Sequence, residues 1–220
     1  MTRLGMNPAR KQSSTFQPAQ VTVAMVTYIP HLEGYFRHRL DVLKLSLTSL
    51  LEHTQTPFDL LILDNGSCPE VRSYLNQLNQ QGELDYLLWS KRNLGVMGAL
   101  HLLNRATLGK YIAYTNDDVF YYPGWLSEHL KIMETYPKVG MVSGSPVGVS
   151  SEQADQSFWS FVEQDLPGVS VSQRERIMSW EGDWARSTGR DEEQHLEEIR
   201  SDRQDVVVYK GVKAVNSATH

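Results

Sequence analysis

Four short apolar runs, VTVAMVT (21–27), FDLLIL (58–63), LDYLLW (84–89) and YIAYT (111–115), alternate along the chain with segments whose apolar residues recur at helical spacing. That alternation leaves few folds open. Parallel strands need a crossover, a helix supplies it, and the crossover is right-handed. The first helix runs from His38 to His53, with Leu40, Leu43, Leu47, Leu50 and Leu51 at inward spacing and Thr56-Pro57 beyond its end. A second carries Val71, Leu75 and Leu78 and stops at Gly82; Ser67 and Glu70 stand in capping-box register before it, with Pro69 in the first turn. A third passes through Leu100, Leu103 and Ala106 to Gly109, read as its C′ cap. A fourth spans about Gly124 to Thr135 with Leu126, Leu130 and Met133 inward, and VGMVS (139–143) reads as a fifth strand. The order βαβαβαβαβ predicts an α/β fold: a mostly parallel, Rossmann-like sheet flanked by helices on both faces, with 111–115 as its central strand.

Composition narrows the class. In 220 residues the formal net charge is −5, which argues against a polyanion such as nucleic acid as partner. The single cysteine, Cys68, excludes an intrachain disulfide framework and a cysteine-based zinc site, so a reducing compartment, the cytoplasm, is the simplest home. Residues 1–20 carry charge but no apolar h-region and read as a loose leader rather than a signal peptide. No window approaches the ~18 consecutive apolar residues of a spanning helix. A peripheral contact at the inner face of a membrane stays open. Beyond Pro146 the pattern changes: residues 150–205 hold no clean period, RDEEQHLEEIRSDR (190–203) reads as an exposed mixed-charge helix, and DVVVYKGVKAVNSATH (205–220) as one strand or a hairpin. This divides the chain into a leader (1–20), a core (21–146) and a further region (147–220).

Chemistry gathers where the strands end. Thr27-Tyr28, Asp64-Asn65-Gly66-Ser67 and Asn116-Asp117-Asp118 each follow a strand, and in an open parallel sheet the carboxyl ends share one rim, where ligands bind. Asn93-Leu94-Gly95 follows the remaining strand and opens a helix, whose N-terminal amides favour an anion. The adjacent carboxylates of Asp117 and Asp118 repel unless a proton or a positive charge is shared between them, and a divalent metal is the economical explanation. His101 and Asn104 read as exposed or capping positions, and Tyr121 and Tyr122 as rim or core packing.

In the order VTVAMVTY, ILDNGS, NLGVMGALHLLN and YTNDDVFYYPGW, this chain resembles the inverting glycosyltransferases of the GT-A fold, family 2, over roughly Val21 to Pro146. The resemblance implies transfer of a sugar from a nucleoside-diphosphate donor (UDP-, dTDP- or GDP-sugar) to a saccharide, lipid or protein acceptor. It implies that Thr27 and Tyr28 line the nucleotide base, that Asp64 pairs with it, and that Asn116-Asp117-Asp118 is the DXD motif. Asp118 then meets Mg²⁺ or Mn²⁺ on the donor diphosphate, with Asn116 and Asp117 near ribose and metal. Asn116 departs from the motif's first Asp, hydrogen-bonding without bringing charge.

The family's general base is an acid, often in a Glu-Asp pair well beyond the DXD turn. No Glu-Asp pair follows Asp118 here; Glu181 and Asp183, in SWEGDW, stand nearest to one. The expectation is therefore a glycosyltransferase domain with its base unassigned, 147–220 being a partial acceptor-side region of a truncated chain. The rival is a non-catalytic donor-binding domain. A sugar-phosphate nucleotidyltransferase would want a Gly-rich basic loop after the first strand, and YIPHLEG (28–34) is not one.

Overall fold

The computed structural model describes residues 16–144 and 152–216. Most of the expected leader and Pro146, the expected end of the core, lie outside them. The chain divides into two compact units, one up to Leu126 and one from Ser127 onward.

The first unit runs β1 (Val21–Thr27), α1 (Arg39–His53), β2 (Asp59–Asp64), α2 (Pro69–Gln81), β3 (Tyr86–Trp89), α3 (Gly95–Ala106) and β4 (Tyr111–Thr115). Its four strands are all parallel, in the order β3-β2-β1-β4. Because side chains alternate along a strand, each strand divides its apolar residues between two faces. Val23 and Met25 of β1 and Leu60 and Ile62 of β2 pack with Leu43, Leu47 and Leu50 of α1 and with Val71 and Leu75 of α2. Ala24 of β1 and Leu61 and Leu63 of β2 turn the other way, onto Ala99 and Leu103 of α3. The α/β sheet covered on both faces is therefore present, and β1 and β2, buried on both, read as continuous apolar runs for that reason.

Several local expectations are corrected. The capping box does not form: Cys68 is the N-cap of α2, Pro69 opens the helix, and Ser67 Oγ instead accepts the Ile29 amide at 3.0 Å. Gly109 does not cap α3, which ends at Thr107. A Cβ on Gly109 would stand 2.8 Å from the Thr22 amide nitrogen, so glycine there permits the chain to pass against β1. Gly82 does close α2, in the left-handed conformation at φ 80°. β4 is an edge strand among the described residues rather than a central one, with Ile112 and Tyr114 each more than two-fifths exposed. The expected fifth strand over 139–143 is absent: among the described residues the segment pairs with no strand, and Met141 is left in solvent.

α4 (Trp125–Thr135) follows, and of its expected inward residues Leu126 is buried while Leu130 and Met133 are half-buried. The second unit then holds α5 (Glu152–Val162), β5 (Val169–Glu175), α6 (Met178–Ser187), α7 (Glu192–Glu198), β6 (Arg203–Tyr209) and β7 (Val212–Val215). The last strands form the expected hairpin, turning at Lys210 and Gly211, both at positive φ. β6 also pairs antiparallel with β5, so it is the middle of three strands. Tyr136, Phe158 and Val207 centre this unit's core. The mixed-charge helix is shorter than expected, because Asp191 caps it through Gln194 and the chain is already strand from Arg203. Nor is it wholly exposed, since His195 is buried against Glu181. Among the described residues no helix is long and apolar enough to cross a membrane.

Candidate active site

Register decides what meets at the carboxyl ends of the strands. Thr27 stands beside Asp64, Asp64 beside Trp89, and Met25 beside Thr115, so residues 116–118 leave β4 alongside the last residues of β1. A cavity of about 260 Å³ opens at this rim. Its walls include Tyr28, Asn65, Asn93, Gly95, Asn116 and Asp117, with apolar surface from Val26, Val96 and Tyr114.

The acidic turn is fastened from two sides. Thr27 Oγ1 donates to Asp117 Oδ2 at 2.7 Å, and Arg39, at the first turn of α1, reaches Asp117 Oδ1 with Nη2 at 2.5 Å and Asp118 Oδ2 with Nη1 at 2.9 Å. The positive charge between the paired carboxylates is therefore a guanidinium of the chain itself. Burial pushes Asp117 up from the ordinary carboxylate range, against the Thr27 hydrogen bond and the Arg39 charge. On the other side of the pair, burial works to lower Arg39, but the two carboxylates outweigh it and leave the guanidinium raised. Arg39 therefore stays charged. Farther along, Tyr121 shares a short hydrogen bond with Thr115 Oγ1, its amide donates to Ser49 Oγ at 3.1 Å, and its carbonyl accepts from His53 Nδ1 at 2.6 Å. Ser49 and His53 lie on α1, so one helix holds both ends of the turn.

Opposite, Asn65 latches the start of α3. Its Oδ1 accepts the Leu94 amide at 2.9 Å, its Nδ2 donates to Asn93 Oδ1 at 3.1 Å, and Asn93 Oδ1 also accepts the Gly95 amide at 2.7 Å. Gly66, at φ 94°, makes the approach feasible, because a Cβ there would stand 3.0 Å from the Arg92 carbonyl carbon. Asp64 is fully buried behind this latch: Oδ1 accepts the Ser67 amide at 3.0 Å, while Oδ2 has no hydrogen-bond donor among the described residues and faces Arg72 Nε at 3.5 Å. The Arg72 guanidinium also lies over the Trp89 ring, 4.7 Å from its centroid.

Of the residues singled out from sequence, Tyr28, Asn93, Gly95, Asn116 and Asp117 line the cavity. Thr27 and Asp64 are buried behind it, and Asp118 is exposed beside Arg39. Arg39 and Ser49 were not anticipated, and Asn65 was named only as part of the rim loop after β2. Asn65 was legible as part of the DNGS turn, and Ser49 as a polar interruption in the apolar stripe of α1; nothing local marks Arg39. Tyr121 is core, packed on Trp125, and Tyr122 is exposed; His101 and Asn104 are exposed on α3. Glu181 is buried in α6, with Oε1 accepting from Arg176 at 2.8 Å and Oε2 lying 3.1 Å from His195 Nε2. Asp183 is exposed and paired with Arg186.

The fit of a divalent cation can be judged from the oxygens. Asp117 has both engaged, whereas Asp118 has only Oδ2 engaged, on a side chain 45% exposed. Among the described residues no group of three His, Cys, Asp or Glu side chains gathers to hold an ion unaided. Asp118 thus offers a single exposed carboxylate, a hard oxygen donor of the kind that Mg²⁺ or Mn²⁺ takes.

Known proteins resemble this chain over part of its length. The chain is 29% identical over 89 residues to an uncharacterized glycosyltransferase of Rickettsia felis, a stretch covering 40% of this chain and 14% of that one. It is equally similar to an uncharacterized glycosyltransferase of Rickettsia conorii, over the same shares. Among solved structures, Staphylococcus aureus TarS 1–349 in complex with UDP-GlcNAc superposes at TM-score 0.43 and 14% identity, over 60% of this chain and 39% of that one. The sequence model of glycosyl transferase family 2 matches residues 35–167, well over half of the chain, and the chain belongs to that family.

Proposed function

We propose that this chain binds a nucleoside-diphosphate sugar in the rim cavity and belongs to an enzyme that transfers the sugar, with inversion, to an acceptor hydroxyl. The observation that carries the reading is the convergence of Tyr28, Asn65, Asn93, Gly95, Asn116 and Asp117 on one cavity at the carboxyl ends of parallel strands. In this reading Tyr28 flanks the base, and Asp64 Oδ2, buried and facing Arg72 at 3.5 Å, accepts a ring N–H when the base takes the place of that guanidinium. Asn65 and Asn93 hold the start of α3 through the Leu94 and Gly95 amides, and the helix N-terminus they position, with the amides that follow, receives the diphosphate. Asn116 hydrogen-bonds a ribose hydroxyl, and Asp118 holds Mg²⁺ or Mn²⁺. Once bound, that cation would offset the charge growing on the departing nucleoside diphosphate. The lone Cys68, buried, is consistent with a reducing cytoplasmic setting.

The test is thermal stability with UDP, with and without Mn²⁺. Ligand at ~100 times its Kd adds about 2.7 kcal/mol, roughly 5–10 °C in Tm for a chain of this size. Asp118→Asn should remove most of the shift, and an equal shift in the presence of chelator would eliminate the metal. A second reading, donor binding without transfer, is favoured by the state of the two acids that come nearest in sequence to the family's Glu-Asp pair: Glu181 is buried with both oxygens engaged and Asp183 is ion-paired. Sugar transfer and donor hydrolysis assayed beside donor affinity separate the two.

A further inference from the structure

We infer that Arg39 is the resident counter-cation of the acidic turn, anchored on Asp117 and exchangeable on Asp118, so that a divalent cation drawn to Asp118 competes with one arm of the guanidinium for that carboxylate's charge and for its Oδ2. The inference rests on the reading that Asp118 meets the metal. Its geometric basis is that Arg39 does not grip one carboxylate with both nitrogens but bridges two. The arms are unequal. The Asp117 contact is the shorter, 2.5 Å against 2.9 Å, and joins side chains only 19% and 10% exposed. Thr27 holds the other Asp117 oxygen, so that carboxylate cannot turn away. Breaking a buried pair strands a charge, which strongly favours keeping this arm. The Asp118 arm ends on a carboxylate 45% exposed, where water and ions compete and an ion pair is weak.

Charge points the same way. Two carboxylates and one guanidinium leave the turn a single net negative charge, and a divalent ion reverses its sign, as a diphosphate requires. Were both carboxylates free they would attract cations without a donor present; Arg39 suppresses that and reserves tight binding for the cation accompanied by diphosphate. Arg39 is thus a positioning residue for Asp117 and a competitor at Asp118.

The experiment titrates Mn²⁺ alone into the full chain, following free Mn²⁺ by electron paramagnetic resonance, for wild type, Arg39→Lys and Arg39→Met. A lysine ammonium is a point charge that satisfies Asp117 and cannot fork to both carboxylates. Arg39→Lys should bind Mn²⁺ about two- to fivefold more tightly than wild type, the scale of one exposed ion-pair arm, and Arg39→Met more tightly still. Adding Asp118→Asn to Arg39→Lys should erase the gain. Circular dichroism reports folding, and if Arg39→Met unfolds, Arg39→Lys decides. Mn²⁺ affinity equal to or weaker than wild type in the folded Arg39 variants overturns the inference. UDP titrated with Mn²⁺ into wild type separates this from the functional reading: nucleotide binding with unaltered Mn²⁺ affinity in the variants defeats the Arg39 role alone, whereas absence of nucleotide binding defeats the site while the Mn²⁺ ratios still report on Arg39.

Discussion

Thr27 Oγ1, at the last position of β1, donates a 2.7 Å hydrogen bond to Oδ2 of Asp117, 90 residues further along the chain. The two meet because β1 and β4 pair in parallel with Met25 beside Thr115, which carries the turn after β4 back across the end of β1. Thr27 is fully buried and does not line the cavity. Its role is to hold a carboxylate that does.

Thr27→Val keeps the shape and β-branching but removes the donor, leaving an acceptor of a buried carboxylate unsatisfied. The expected cost is about 1–3 kcal/mol, measured by urea denaturation, with Thr27→Ser recovering most of it. A valine variant as stable as wild type would show that the hydroxyl contributes nothing there.

Tyr121 provides a test at alkaline pH. Burial pushes its phenol from 10.0 up to about 12, against the hydrogen bond with Thr115. Between those values an unfolded tyrosine loses its proton and the folded one keeps it, so the native state binds more protons. The contribution is complete below pH 10 and is lost as pH rises through 12. Two pH units correspond to roughly 2–3 kcal/mol. Urea melts across this range should therefore fall less steeply for Tyr121→Phe than for wild type; parallel curves would place the titration elsewhere.

Asp64 bears on nucleotide choice. A carboxylate only accepts, so it suits the ring N–H of uracil, thymine or guanine and opposes the bare ring nitrogen of cytosine. UDP, dTDP or GDP should bind and CDP poorly, with Asp64→Asn narrowing the difference. Competitive titration measures it, and a preference for CDP would remove Asp64 from base recognition. Because Arg72 faces Oδ2 at 3.5 Å, Arg72→Ala should alter affinity for the base without abolishing the selectivity.

Gly66→Ala should strain the rim from both causes present there, a φ of 94° and backbone within 3.0 Å. A cost of about 1–3 kcal/mol is expected, together with weaker nucleotide binding as the Asn65 latch on α3 shifts. Gly82→Ala shares the positive φ but meets nothing within 4 Å, so it isolates the conformational part. Equal losses in the two variants would refute the close approach.

Much of the site's address was legible from periodicity. Apolar runs such as VTVAMVT and FDLLIL, separated by helical spacing, require parallel strands, and parallel strands bring Tyr28, Asn93, Gly95, Asn116 and Asp117 to one rim. The misreadings share a cause. Ser67 cannot cap α2 when its hydroxyl is taken by Ile29, and Gly109 looks like a cap until Thr22 is seen beside it. VGMVS has the composition of a strand, but a strand also needs a neighbour, and among the described residues none pairs with it.

The sequence by itself determined the alternating elements, the two-faced burial of β1 and β2, and the row of polar residues at the strand ends, because each follows from local spacing. Only the tertiary structure decided that β4 lies at an edge, that Thr27 and Asp64 stand behind the cavity, and that the charge between Asp117 and Asp118 is Arg39. Those outcomes depend on strand register and on the rotation of α1 about its axis, which are set by packing between segments some 80 residues apart and leave no mark in the residues on either side of an acidic pair.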